Sequence, residues 1–129
     1  MVLDASAAVE WLLQTTAGLQ IERRVYSRNE SLHSPHLLDI EVAHVLRRFV
    51  RDSRISAKRA EEALRDLVAL SITRYPHEIF LGRIWQHRQN LSAYDAAYVT
   101  LAEDLGAPLI TRDKRLSSAP GHTARIEVF

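Results

Sequence analysis

The stretch Val2-Leu3-Asp4-Ala5-Ser6 consists of two apolar residues, an acid and two small residues. A short apolar run followed by small residues predicts the first strand of an α/β sheet leading directly into a helix. Asp4 would then stand at the carboxyl end of that strand, the edge at which open α/β sheets bind their ligands. Its carboxylate could act there as a metal ligand, as a nucleophile or as the N-cap of the following helix.

Strands and helices alternate along the rest of the chain. Helices are expected over 5–13, from Thr15 or Thr16 to about 28, from Ser34-Pro35 to about 52, and over 56–70, 77–90 and 92–105, with strands at 31–33, 71–75, 109–111 and 126–129 and a loop over 112–123. The helix start at Ser34-Pro35 rests on serine as an N-cap and on proline in the first helical turn. The alternation predicts the α/β class: a three-layer α/β/α domain around a central, mainly parallel sheet of about five short strands.

Length and composition limit the classes of protein that remain. The 129 residues fit one domain, 1–129, and the 47% apolar and 26% charged content is typical of globular chains. No stretch is long and apolar enough to span a membrane and no signal peptide is recognisable, so a cytoplasmic location is expected. Because the chain has no cysteine, disulfides, thiolate zinc sites and thiol redox chemistry are excluded.

Two acids lie on helices that must also bury an apolar face. Glu41 borders the apolar stripe of its helix, and the alternative role for it is a simple ion pair with His44 or an arginine. Asp95 shares a face with Val99, which has to point toward the sheet, so the carboxylate is expected at the rim of the core. The alternative for Asp95 is a capping box that begins at Ser92.

A fourth acid, Asp113, follows the strand 109–111 much as Asp4 follows its own strand, although it could be only a turn residue. The four carboxylates could therefore meet at one edge of the sheet. Like charges cannot share a low-dielectric pocket without cations, and Mg²⁺ or Mn²⁺ is the natural partner for oxygen ligands. Such a site activates water for in-line attack at phosphorus, which indicates phosphodiester hydrolysis.

Basic side chains cluster along and after the helix of Glu41. Arg47 and Arg48 are candidates for contact with a phosphate backbone, although a solvated helix face is the alternative for each. Arg112, beside the fourth acid, is a third candidate. The histidines show no tight metal-ligand spacing, and no glycine-rich phosphate loop is present.

Four segments, in this order and spacing, match a known family: Val2-Leu3-Asp4-Ala5-Ser6-Ala7, then 37–42 leading into Leu46-Arg47-Arg48, then 94–99 with Leu101-Ala102-Glu103, then 109–116. In these segments the chain resembles the PIN-domain ribonucleases, specifically the VapC-type toxins of bacterial and archaeal toxin-antitoxin pairs. The likeness spans nearly the whole chain.

The resemblance implies a Mg²⁺- or Mn²⁺-dependent endoribonuclease whose catalytic carboxylates are Asp4, Glu41, Asp95 and Asp113. Asp4 and Asp95 would be the metal ligands, and the hydroxyls of Ser6 and Thr111 would support the site. The resemblance also implies a homodimer and a VapB-type antitoxin whose C-terminal segment covers the active site. The family commonly has Asn three residues after the helix glutamate, where this chain has His44.

Two other functions remain open on the sequence alone. One is a PIN-fold module that binds RNA or a partner without cutting. The other is a receiver-like phosphoacceptor domain, which is disfavoured because Asp4 is solitary and no middle strand ends in aspartate. A dehalogenase-type phosphatase is also disfavoured, since Ser6 stands where a second aspartate is required.

Overall fold

A computed structural model describes all 129 residues. Five strands form one sheet in the order β3-β2-β1-β4-β5, and every neighbouring pair is parallel. The strands are β1 (Val2–Leu3), β2 (Leu32–Pro35), β3 (Ile72–Tyr75), β4 (Leu109–Thr111) and β5 (Ile126–Val128). The α/β class and the short-stranded parallel sheet expected from the sequence are confirmed.

Seven α-helices cover the sheet: α1 (Ala5–Leu12), α2 (Thr16–Ser27), α3 (Leu37–Arg51), α4 (Ala57–Ala69), α5 (Leu81–Gln86), α6 (Ala93–Leu105) and α7 (Lys114–Ser118). Helices α2, α3 and α4 each pack against α1, and α3 also packs against α4. Helix α6 lies on β1, β2 and β4, and α5 packs against α6. The layers are those of the predicted α/β/α arrangement. No helix combines the length and apolar character needed to cross a bilayer.

The centre of the sheet is also the centre of the hydrophobic core. Val2 and Leu3 of β1 and Leu109 and Ile110 of β4 are completely buried, as the strongly apolar sequence of these strands requires. Since β1 ends at Leu3 and β4 ends at Thr111, the residues that follow them emerge side by side at the carboxyl edge of the sheet.

The predicted helix start at Ser34-Pro35 is wrong, because these two residues end strand β2. The amide of His33 donates to the carbonyl of Met1, just before β1. Alternate amides of a strand face the same neighbour, so the next amide directed at β1 would be that of residue 35. Residue 35 is proline and has no amide hydrogen to donate. The Ser34 hydroxyl donates to the Leu3 carbonyl at 2.9 Å and satisfies that strand end instead. Helix α3 begins two residues later, at Leu37.

Two further boundaries differ from the expectation. The predicted helix 77–90 is broken into a 3₁₀ turn, Glu78–Phe80, and the short helix α5, with turns after it. The predicted loop 112–123 contains helix α7, whose N-cap is Asp113: its carboxylate accepts from the amide of Arg115 at 2.8 Å.

Candidate active site

A cavity of about 510 Å³ opens at the carboxyl edge of the sheet, and all four acids singled out from the sequence line it. Asp4 comes from the β1–α1 junction, Glu41 from α3, Asp95 from the first turn of α6, and Asp113 from the β4–α7 junction. The remaining lining residues are Ala5, Ser6, Leu37, Ile40, His44, Val45, Tyr94 and Tyr98.

Asp4 is the most constrained of the four, with only 6% of its surface exposed. Its Oδ1 accepts the Ala7 amide at 2.9 Å and the Ser6 hydroxyl at 2.7 Å, and its Oδ2 accepts the Thr111 hydroxyl at 2.5 Å. The cap suggested by the sequence is therefore present, and it occupies only part of the carboxylate. Burial raises the pKa of Asp4 to about 6, although these hydrogen bonds oppose the rise.

Ser6 and Thr111 connect Asp4 to the backbone after β4. The Arg112 amide donates to the Ser6 hydroxyl at 2.8 Å, and the Asp113 amide donates to the Thr111 hydroxyl at 2.9 Å. Each amide thus orients a hydroxyl that donates to Asp4 in turn. The two predicted supporting residues lie together with Asp4, and they fix both of its oxygens.

Glu41 pairs with neither His44 nor an arginine, so the alternative role considered for it, a simple ion pair, is not seen. Its Oε2 accepts the hydroxyl of Tyr98, on α6, at 2.6 Å. Burial raises the pKa of Glu41, against the opposing effect of this hydrogen bond, and the charge of Asp95 adds to the rise. His44 lies at the exposed side of the same cavity.

Asp95 and Asp113 differ in what holds them. The Asp95 amide donates to the Ser92 hydroxyl at 3.0 Å, but the Asp95 carboxylate makes no hydrogen bond in return, so the capping box is only half formed. Asp113 is paired with Arg115, whose Nε and Nη2 both reach its carboxylate. Hydrogen bonds from Arg115 lower the pKa of Asp113.

The cavity therefore contains three carboxylates without a cationic partner, since no arginine, lysine or histidine makes an ion pair with Asp4, Glu41 or Asp95. Two half-buried carboxylates beside the buried Asp4 call for a cation, and oxygen donors suit Mg²⁺ or Mn²⁺. The donor chemistry fits such an ion, although no three of these side chains already stand close enough to bind a single ion.

The predicted RNA contacts lie outside the cavity but are continuous with it. Glu41, His44 and Arg48 are three and four residues apart on α3, so they lie on one face of that helix. Arg48 is at the end of this row farther from the acids. Arg47 and Arg112 are also exposed, and none of the three arginines makes an ion pair. The structure thus places the basic side chains beside the acids, not among them.

Sequence reasoning missed Tyr98 and Arg115. Tyr98 lies three residues after Asp95 on the inward face of α6, so the helical period carried a signal for it. Arg115 lies two residues after Asp113, and without the helix α7 that spacing gives no reason to expect a contact.

Comparisons with known proteins identify the family of the chain. A family model described as PIN domain matches residues 1–121. Ribonuclease VapC12 of Mycobacterium tuberculosis is 42% identical over 128 residues, covering 99% of this chain and 98% of that protein. VapC ribonuclease Mb0985 of Mycobacterium bovis is 45% identical over 117 residues, covering 91% of this chain and 88% of that protein.

Two solved structures have the same fold. PAE2754 from Pyrobaculum aerophilum superposes with a TM-score of 0.71 at 24% identity, covering 98% of this chain and 82% of that one. VapC20 of M. tuberculosis, described as a Sarcin-Ricin loop cleaving toxin, superposes with a TM-score of 0.68 at 14% identity and covers 95% of each chain. At these identities the likeness concerns the fold.

The chain belongs to the PIN-domain family. Within that family it belongs with the VapC ribonucleases, as the identity over nearly its whole length shows. The family and the class of activity expected from the sequence, an endoribonuclease toxin, are confirmed. The receiver-like alternative is thereby set aside.

Proposed function

We propose that this chain hydrolyses RNA phosphodiester bonds at the cavity described above, with Asp4, Glu41, Asp95 and Asp113 as its catalytic carboxylates and Mg²⁺ as its cofactor, for which Mn²⁺ can substitute. One observation carries the proposal: Asp4 is a buried carboxylate fixed by three hydrogen bonds, and it shares its cavity with two other acids that form no ion pair. This cluster of acids does not help to stabilise the fold, because burying unpaired charges is destabilising, so we attribute it to function.

Asp4 and Asp95 are the residues that we expect to hold the cation. Asp4 is oriented by its hydroxyl and amide donors, and the Asp95 carboxylate is free of hydrogen bonds. When bound, Mg²⁺ or Mn²⁺ lowers the pKa of an attacking water and stabilises charge on the phosphate. Glu41 and Asp113 complete the acid surface around these two ligands.

RNA would approach along α3. The phosphate backbone carries the charge that arginines bind, and Arg47, Arg48 and Arg112 flank the cavity without being committed to ion pairs. Arg48→Ala should weaken RNA binding and reduce its dependence on salt. Arg23→Ala is the control, since Arg23 is exposed on α2 and makes no ion pair.

The mouth of the cavity suits a VapB-type antitoxin. Ile40 and Tyr94 line it and are 71% and 62% exposed, so an antitoxin segment can bury apolar surface there while an arginine reaches the acids. The C-terminal segment of the antitoxin would then cover the active site. Such a segment and Mn²⁺ should compete for the cavity in a titration.

We expect the chain to act as a homodimer in the cytoplasm. Ile79, Leu81 and Trp85, in the 3₁₀ turn and α5, are 65%, 56% and 68% exposed, which is a large apolar surface for an isolated chain. Trp85→Glu should shift the parent dimer toward monomer in sedimentation velocity. A parent that sediments as a monomer at every concentration would contradict the homodimer.

The decisive experiment combines cleavage with metal binding. The parent should cut RNA only with Mg²⁺ or Mn²⁺, and Asp4→Asn and Asp95→Asn should reduce the rate at least about a hundredfold and lose Mn²⁺ binding in calorimetry. Asp104→Asn, an exposed change on α6, is the matched control. If the parent binds RNA but does not cleave it under any metal condition, the non-cutting PIN module becomes the better description.

A further inference from the structure

The tyrosine Tyr98 makes the only polar side-chain contact between α3 and α6, the two helices that carry Glu41 and Asp95. Its hydroxyl donates to Glu41 Oε2 at 2.6 Å, and no other hydrogen bond or ion pair joins these helices. We propose that Tyr98 is a positioning residue that holds Glu41 toward the cation site. This inference rests on the proposed role of the acids.

The environment of Tyr98 makes its hydroxyl a fixed donor. The side chain is only 3% exposed and belongs to the main hydrophobic core. Burial, the hydrogen bond to Glu41 and the negative charge of Glu41 all raise the pKa of Tyr98 far above its ordinary value. The phenol therefore stays protonated and donates a hydrogen bond to the Glu41 carboxylate at any pH at which the protein works.

Glu41 needs such a donor because nothing else restrains its carboxylate. It makes no other hydrogen bond and no ion pair, and a free glutamate samples many rotamers. The phenol occupies Oε2, while Oε1 makes no hydrogen bond and Glu41 lines the cavity. Because Tyr98 lies three residues after Asp95 on the same helix, the contact also fixes Glu41 relative to Asp95.

The chain has two tyrosines in the segment Tyr94-Asp95-Ala96-Ala97-Tyr98, and they differ completely in environment. Tyr94 is 62% exposed and its hydroxyl makes no hydrogen bond, whereas Tyr98 is buried and its hydroxyl donates to an acid. The inference is therefore specific to the second tyrosine.

Tyr98→Phe removes only the hydroxyl, and its effect is best measured as Mn²⁺ affinity by calorimetry. Loss of a residue that orients the surroundings of a metal site typically weakens metal binding or activity about 10- to 100-fold, and we expect Tyr98→Phe to weaken Mn²⁺ binding at least tenfold. Tyr75→Phe is the matched control, since Tyr75 also loses a single phenol hydrogen bond, to His33 at 3.0 Å, outside the cavity. Thermal unfolding without metal checks that both variants fold.

A double-mutant cycle with Glu41→Gln separates positioning from general structural damage. If Tyr98 acts through Glu41, then Tyr98→Phe changes Mn²⁺ affinity in the parent but not in the Glu41→Gln background. Parent-like affinity for Tyr98→Phe, or equal losses in both backgrounds, would overturn the inference. If Tyr98→Phe does not fold, Glu41→Asp provides the test, because the shorter acid keeps its charge but withdraws from the phenol, and parent-like affinity there would also overturn it.

The same series distinguishes this inference from the proposed function. If Asp4→Asn retains full Mn²⁺ binding, the proposed metal site itself is wrong. If Asp4→Asn loses binding while Tyr98→Phe keeps it, only the role of Tyr98 is wrong.

Discussion

Arg115 holds Asp113 through both ends of its guanidinium, with Nε 3.0 Å from Oδ1 and Nη2 2.5 Å from Oδ2. Asp113 is therefore the one acid of the cavity that already has a positive partner, while Asp4, Glu41 and Asp95 have none. A bound cation gains less from a carboxylate that an arginine has already neutralised. We expect Asp113→Asn to weaken Mn²⁺ binding less than tenfold and Asp95→Asn to weaken it far more.

Calorimetry on the two variants, side by side, measures this difference. Arg115→Gln supplies the second arm: it frees Asp113 and should bring the effect of Asp113→Asn closer to that of Asp95→Asn. Because Arg115 is 87% exposed, its own removal should change stability little. Equal losses of affinity in Asp113→Asn and Asp95→Asn, with Arg115 intact, would show that the ion pair does not shield Asp113.

Two buried threonines offer a matched test of how the site is supported. Thr111 donates to Asp4 and accepts from the Asp113 amide, so Thr111→Val leaves both without that partner and should cost about 1–3 kcal/mol of unfolding free energy. The hydroxyl of Thr100, buried in α6, has no hydrogen-bond partner at all. Thr100→Val should therefore be neutral or stabilising.

Urea unfolding of both variants at neutral pH, without added metal, checks the pair. Both changes replace a buried hydroxyl with a methyl group, so a loss of stability seen only in Thr111→Val reports chiefly the hydrogen bonds of Thr111. A Thr111→Val protein as stable as the parent would remove the hydroxyl relay as a support of the site.

Away from the cavity, Glu103 anchors three segments of the chain. Its carboxylate accepts from the Arg83 guanidinium, from the Thr123 amide and from the buried imidazole of His87. Burial alone would raise the pKa of Glu103, but these hydrogen bonds outweigh it and lower the pKa from 4.5 to about 2.

A carboxyl whose pKa is lower in the folded chain adds stability above its unfolded pKa, and that stability is lost as the pH falls toward the folded value. The parent should therefore lose stability between about pH 4.5 and 2 more steeply than Glu103→Gln does. Near neutral pH, Glu103→Gln should be less stable than the parent by about 1–3 kcal/mol, because the hydrogen bonds from Arg83 and His87 lose their charged acceptor and become weaker. Parallel stability curves for the two proteins would contradict this assignment.

The fold was predictable because its determinants are periodic and local. Each of these determinants depends only on residues a few positions away in the sequence. They are the apolar runs of β1 and β4, the N-caps Thr15, Ser56 and Ser92, and Gly106, which ends α6 in the left-handed region. The same logic failed at Ser34-Pro35, where a strong helix-start signal lies inside a strand. The Leu3 carbonyl that Ser34 satisfies is distant in sequence, and no local pattern points to it.

The candidate site was predictable to the level of the acids but not of their partners. Asp4, Glu41, Asp95 and Asp113 stand at strand ends or on inward helix faces, and those positions can be derived from periodicity. Which group touches each acid depends on how α3 and α6 pack and on whether residues after β4 form a helix. That information arises only in the tertiary structure, which is why the contact between Glu41 and Tyr98 could not be expected from the sequence.

The packing of α1 against α2 depends on one glycine. A Cβ on Gly18 would lie 2.0 Å from the Glu10 carbonyl oxygen and 2.9 Å from the Trp11 Cα, and these are backbone atoms that cannot turn aside. Gly18→Ala must therefore push the helices apart, and we expect a loss of more than about 2 kcal/mol in unfolding free energy.

Gly82 in α5 is the matched control, because a Cβ there would meet nothing within 4 Å. Alanine at an open helical position should stabilise the chain by about 0.5–1 kcal/mol, since glycine loses more backbone entropy on folding. Thermal unfolding should thus move in opposite directions for the two substitutions. If Gly18→Ala unfolds at the same temperature as the parent, α1 and α2 have room to separate, and the close contact at Gly18 does not hold them in place.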